Sequence, residues 1–217
     1  IQSLAEWAAA RGMLVALVTN TTVTHATPAA WYAHIHDRDD EAKIAQQLRA
    51  SPVHVVLGGG AKFFPAAQSW QPWRVIRSAK ELPEGPTDPN AHLLGVFAEE
   101  HLPYEGTDEP RQAPTLLELS RWALRGLQAS GRPFLLMIEG GRIDHAAHDN
   151  WARTLLHEVV AFDEVVGHVT ATADPATTLV LATSDHETGG LSLNGYPALE
   201  GGVWWRSVFG TTLSFSS

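Results

Sequence analysis

Cysteine is absent from the 217 residues, which removes both a disulfide framework and any thiolate metal site and leaves zinc, if bound, to His, Asp and Glu. Lysine and arginine together number 15 against 24 aspartates and glutamates, a net charge of -9. So acidic a chain argues against non-specific nucleic-acid binding, which depends on clustered cations that neutralise phosphates. A phosphate ligand then calls for metal ions or a placed arginine. Long apolar runs are also missing: none approaches the roughly 20 residues of a membrane-spanning helix. No charged stretch followed by an apolar one opens the chain, which starts at Ile1; we expect a signal peptide to be either removed or never present, and the natural start to lie upstream. Internal repeats and low-complexity linkers are lacking, and the length suits one large core, so a single domain over residues 1–217 is expected.

What is present is alternation. Met13 to Val18 is a continuous apolar run of the kind buried on both faces of a parallel sheet, and Val53 to Leu57, Phe134 to Ile138 and Thr178 to Thr183 are further, largely apolar strand candidates. Between them lie helical patterns: a segment through Leu4, Trp7 and Ala8 with Ser3 as N-cap, one from Pro28 through Ile35, and others over Asp39 to Leu48, Thr115 to Ala129 and Trp151 to Thr172. Thr19 to Thr24 is polar and reads as loop, and Phe63 to Pro114 is rich in proline and reads as loops with a strand or two. The fold class is therefore α/β, a mostly parallel central sheet flanked by helices on both faces. The eight tryptophans are scattered and read as packing, with Trp204 and Trp205 as either partner surface or uncovered core.

In such sheets, ligands bind beyond the carboxyl ends of the strands. Thr19 to Thr27, Glu139 to His148 and Ser184 to His186 all follow strand candidates, which puts them on one edge. Asp144 and His148 stand four residues apart, a spacing that aligns a carboxylate and an imidazole on one helical face. Alone, such a pair is more often an ordinary surface contact, and Asp185-His186 alone is more often a turn. Glu139 ends five apolar residues, where an unpaired carboxylate is costly and a cation partner is favoured. Taken together they point to a metal site. Thr27 is either a helix N-cap before Pro28 or an oxygen ligand to a hard cation. Arg38 is either a solvated helix-end residue or a fork for phosphate.

These stretches, in this order, resemble the alkaline phosphatases. Val23-Thr24-His25-Ala26-Thr27-Pro28-Ala29-Ala30 followed by Arg38, Leu57-Gly58-Gly59-Gly60, Glu139 to His148, and Thr183 to Gly190 each resemble a segment of that family. The resemblance implies that Asp144 and His148 bind a first zinc, Asp185 and His186 a second, and Thr27 and Glu139 a magnesium. It implies that Arg38 holds two phosphate oxygens, while His25 and His145 stand beside the metals and tune them without ligating. The function implied is hydrolysis of small-molecule phosphate monoesters with two zinc ions and one magnesium, through a transient phosphoserine. The family is commonly periplasmic or secreted and often dimeric.

The sequence departs from the family pattern at both ends. The serine nucleophile segment and an aspartate that bridges the second zinc and the magnesium have no counterpart upstream, and no histidine follows His186 to complete the first zinc site. The expectation is an internal stretch of an alkaline-phosphatase-like fold, truncated at both ends, that by itself binds zinc weakly and turns over little or nothing. A related phosphodiesterase or sulfatase-like hydrolase, and a non-catalytic metal- or phosphate-binding module, stay open as alternatives.

Overall fold

The computed structural model describes residues 1–83, 91–107, 111–194, 204–206 and 212–214. The chain divides into two compact units, one made of Ile1–Pro103 and Thr107–Gly140, the other of Tyr104–Gly106 and Gly141–Ser217.

The first unit begins with α1 (Leu4–Ala9), where Ser3 and Glu6 form a reciprocal capping box. Strand β1 (Leu14–Thr22) follows, and all nine of its residues are buried. Next come α2 (Ala26–Tyr32), α3 (Glu41–Leu48), β2 (Val55–Gly59), β3 (Trp73–Ile76), β4 (His92–Val96), α4 (Leu116–Ala129) and β5 (Phe134–Glu139). The sheet runs β3-β4-β2-β1-β5 and every pairing is parallel. The parallel α/β architecture expected from alternating apolar runs and helices is the one found. Successive β1 side chains point to opposite faces. Val15 and Leu17 pack with Ala5 and Ala8 of α1, Tyr32 of α2, and Ile44 and Leu48 of α3. Helix α4, begun by a second capping box between Thr115 and Glu118, packs on β1 from outside that cluster and so covers the other face.

Expected boundaries move at the end of α2, the start of α3 and the end of β1. Helix α2 stops at Tyr32, short of Ile35, and α3 starts at Glu41, so residues 33–40 form a connection. Strand β1 continues past Val18 through Thr19, Asn20, Thr21 and Thr22, at most 2% exposed. The polar stretch had suggested loop, but its hydroxyls and amides find partners inside the unit and burial is then tolerated.

At the amino-terminal end of β2, His54 accepts the Val15 amide N–H at Nδ1 (3.2 Å), and its ring stacks on that of His92, centroids 5.8 Å apart. Burial lowers the His54 pKa, and the nearby His92 and Arg132 lower it further. Above about pH 6.5 His54 is neutral in both folded and unfolded chains and this stability is retained. As pH falls the unfolded chain takes the proton first, and stability is lost on passing through the depressed folded value. We expect His54→Asn, whose amide oxygen still accepts the Val15 N–H, to flatten the fall in urea midpoint between pH 7 and 5. An unchanged slope would remove His54 as its source.

The second unit contains α5 (Arg142–His148), α6 (Ala152–Thr172) and a small antiparallel sheet of β6 (Ser192–Asn194), β7 (Trp204–Arg206) and β8 (Thr212–Ser214), ordered β6-β8-β7. Ala146 and Ala147 of α5 and Leu155 of α6 form its core, joined by Tyr104, Ile143 and Leu191. Glu158, 2% exposed, accepts the Glu105 amide N–H at 2.6 Å. The strand expected over Thr178–Thr183 is not formed; these residues carry no regular structure, and Leu179 and Leu181 are more than 80% exposed. A strand is stabilised by cross-strand pairing, and this apolar run has no paired neighbour among the described residues. The surface-or-core reading of Trp204 and Trp205 concerns side chains outside the described residues.

Candidate metal and phosphate site

In the first unit the ends of β1 and β5 run side by side, with Thr19 in register with Glu139. The Thr19 hydroxyl donates to Glu139 Oε2 at 2.5 Å, and Thr21 Oγ1 lies 3.2 Å from the same oxygen. Thr19 in turn accepts the Thr21 amide N–H at 2.9 Å. Half-buried at the strand end, Glu139 is thus fixed in place by two hydroxyls. Sequence reasoning missed Thr19 and Thr21, although Thr-x-Thr at the end of a strand puts both hydroxyls on one face.

Past β1 the chain turns into α2. The N-cap residue is His25, which corrects the reading of Thr27 as the cap; Thr27 sits half-buried inside the first turn. Arg38 lies exposed in the connection to α3, its Nη2 3.4 Å from His25 Nε2. A guanidinium only donates, so His25 Nε2 is the accepting nitrogen. Glu41, at the start of α3, accepts from both Thr22 (2.6 Å) and Thr24 (2.5 Å), tying α3 to the turn that carries His25 and Thr27.

His101 supports the same turn from another side. Its Nδ1 accepts the Thr22 amide N–H at 2.9 Å, and its ring meets that of His25 edge-on, centroids 5.7 Å apart. The glycine run makes this possible. A Cβ on Gly59 would collide with the Glu100 carbonyl oxygen, and the Gly60 amide sits between the carbonyls of Ala98 (2.9 Å) and Glu100 (2.7 Å). The close approach of residues 98–101 to β2 therefore requires glycine there.

In the second unit, α5 brings Asp144 and His148 onto one face, His148 Nε2 3.6 Å from Asp144 Oδ1. Asp185 and His186 lie exposed, Nε2 to Oδ2 3.4 Å. His186 donates from Nδ1 to the Glu187 carbonyl at 2.7 Å. That hydrogen bond leaves Nε2 as the nitrogen with a lone pair for a metal once the ring is neutral. The carbonyl, then Asp185, raise the His186 pKa, and Asp144 adds to the effect.

Thr188 joins these two pairs. Its hydroxyl donates to Asp144 Oδ1 at 2.6 Å and lies 3.2 Å from His186 Nδ1, from which it accepts. Gly189, at φ 70°, sits where a Cβ would collide with the Ala147 carbonyl, which seats the 188–190 turn on α5. Thr188 was not singled out from sequence, where a threonine two residues beyond a histidine carries no distinct signal. Carboxylates beside imidazoles suit a divalent cation, although no group of three or more His, Asp or Glu side chains comes together among the described residues.

The model of the alkaline phosphatase family matches residues 1–212. The chain belongs to the alkaline phosphatase family. It is 34% identical over 242 residues to the membrane-bound alkaline phosphatase of Bombyx mori, covering 90% of this chain and 44% of that protein. The alkaline phosphatase of the Antarctic bacterium TAB5 superposes with a TM-score of 0.83 at 27% identity, over 99% of this chain and 64% of that one. A histidine-to-glutamate variant of the TAB5 enzyme, with magnesium bound in its M3 site, superposes at 0.79 with 26% identity, over 100% of this chain and 65% of that one. The chain thus spans less than half the length of the silkworm relative. Among the described residues no helix is long and apolar enough to cross a membrane.

Proposed function

We propose that these residues are part of a phosphomonoesterase that uses two zinc ions and one magnesium. The observation that carries this reading is the Thr188 hydroxyl, which holds Asp144 of one metal pair and His186 of the other within a single hydrogen-bonded turn. Asp144 and His148 serve one zinc, Asp185 and His186 the second, and Thr27 and Glu139 the magnesium. Two metals in such a site supply charge stabilisation for an in-line displacement at phosphorus.

The chain's own residues bind and orient. Arg38 offers its guanidinium fork to two phosphate oxygens, and its exposed place beside His25 leaves it able to reach a ligand. Thr19 and Thr21 hold the Glu139 carboxylate, while Glu41 and His101 hold the turn bearing Thr27 and His25. A terminal phosphoryl group with free oxygens suits Arg38 better than a diester, so the substrate class is small phosphate monoesters. The attacking serine of the family pattern has no counterpart in these residues. A homodimer in the periplasm or outside the cell is part of this reading, by kinship alone.

The test is hydrolysis of a chromogenic phosphate monoester, with zinc and magnesium supplied, by the longer protein containing these residues. Arg38→Ala is expected to lower kcat/KM by roughly 100-fold, as loss of a charged group facing the transition state does. A rate on diesters or sulfate esters above that on monoesters, or an unaffected Arg38→Ala variant, would reject the assignment.

A further inference from the structure

Beside Asp144, the side chain of His145 turns to a partner on its own helix. Arg142 donates from Nη1 to His145 Nδ1 at 2.9 Å. The guanidinium itself is held in place: it lies over the Tyr104 ring, 3.5 Å from the centroid, an arrangement that suits a planar cation. Burial lowers the Arg142 pKa, opposed by Tyr104 and then by the carboxylates of Glu158 and Asp149, and Glu158 is fixed by the Glu105 amide. An arginine has no lone pair to offer and no readily lost proton, so in this contact His145 Nδ1 can only accept.

That has a chemical consequence. A neutral imidazole has one proton and one lone pair on its two nitrogens. With the lone pair at Nδ1 engaged by Arg142, the proton sits on Nε2, and neither nitrogen is left to coordinate a cation. His186 is the opposite case, since the carbonyl of Glu187 holds a proton on Nδ1 and leaves Nε2 for coordination.

The geometry points to Arg142 as a positioning residue. It holds His145 in the Nε2–H form, so that His145, next to Asp144 on α5, carries a proton rather than a lone pair on Nε2 and is kept from becoming a third ligand. This rests on the metal reading of Asp144 and His148 proposed above, but the state of His145 can be read without metal. Arg142 touches neither substrate nor metal in this role; it acts through His145. A helix carrying Asp144, His145 and His148 within one turn and a half offers a cation more donors than the site uses, and Arg142 removes one of them.

The experiment is long-range proton–nitrogen NMR of the imidazoles in the metal-free 217-residue chain at about pH 8, above the ordinary histidine range, with His145→Gln to assign the signal. A single Nε2–H pattern is expected for His145, becoming a mixture in Arg142→Met and partly restored in Arg142→Lys, which keeps a donor. An Nδ1–H pattern in the parent chain, or an unchanged pattern in Arg142→Met, overturns the proposal. The Arg142→Met result counts only if circular dichroism matches the parent; the parent spectrum decides the tautomer by itself. Zinc is then added. The His148 signal is expected to shift with His145 left as it was, whereas in Arg142→Met both shift. A zinc-induced loss of the His145 Nε2 proton in the parent overturns the proposal. If zinc shifts no histidine in any variant, the exclusion of His145 as a ligand falls together with the metal reading of Asp144 and His148.

Discussion

Gly59→Ala is expected to destabilise the first unit by about 3 kcal/mol or more, among the larger single-residue effects. The added methyl would collide with the Glu100 carbonyl oxygen and crowd the His101 backbone, and neither can yield as the tip of a flexible side chain would. Two things are lost together. The Gly60 bonds to Ala98 and Glu100 pull apart, and His101 is displaced from the Thr22 amide that it accepts at 2.9 Å. Gly12→Ala supplies the contrast. Gly12 has φ 75° with nothing near its missing Cβ, so alanine there costs about 1 kcal/mol through backbone conformation alone. The urea midpoints of the two variants check this. Equal midpoints would mean that the 98–101 segment is not seated against β2.

The second large effect concerns metal. At zinc concentrations about 100-fold above its dissociation constant, one bound ion stabilises the folded chain by about 2.7 kcal/mol, or roughly 5–10 °C in a chain of this size. We expect that rise in the parent chain and its loss in Asp144→Ala and in His186→Ala. The two residues belong to different pairs, yet Thr188 touches both, at 2.6 and 3.2 Å. Thr188→Val should therefore lower the zinc-dependent rise while leaving the metal-free melting temperature nearly unchanged. Calorimetric scans with and without zinc decide it. A full zinc effect in both alanine variants would mean that the ion binds elsewhere.

Much of this fold was legible because its signals are local. Largely apolar runs located β1, β2 and β5, and the Thr115–Glu118 capping box marks the start of α4. Misreadings arose where a distant partner decides. Thr19 to Thr22 read as loop because nothing local says that Glu139, 120 residues away, will accept the Thr19 hydroxyl. Thr178 to Thr183 read as strand because an apolar run says nothing of whether a neighbour is there to pair with it. The same division holds at the candidate site. Asp144 and His148 are visible through helical spacing, and Asp185-His186 through its place after an apolar run. Thr188, His101 and Arg142 matter through contacts that composition and period do not encode, and only the folded chain brings them into view.

Strand β1 has a further consequence. All nine of its residues are buried, and it is paired on both sides, by β2 and β5. Amides placed in this way exchange their hydrogens with solvent only when the whole unit opens, whereas exposed irregular segments such as residues 178–184 exchange through local opening. Deuterium should therefore enter Leu14 to Thr22 last of all. The threonines that fix Glu139 lie on the slowest-opening segment of their unit, so the carboxylate keeps its setting through every partial unfolding that leaves the sheet intact.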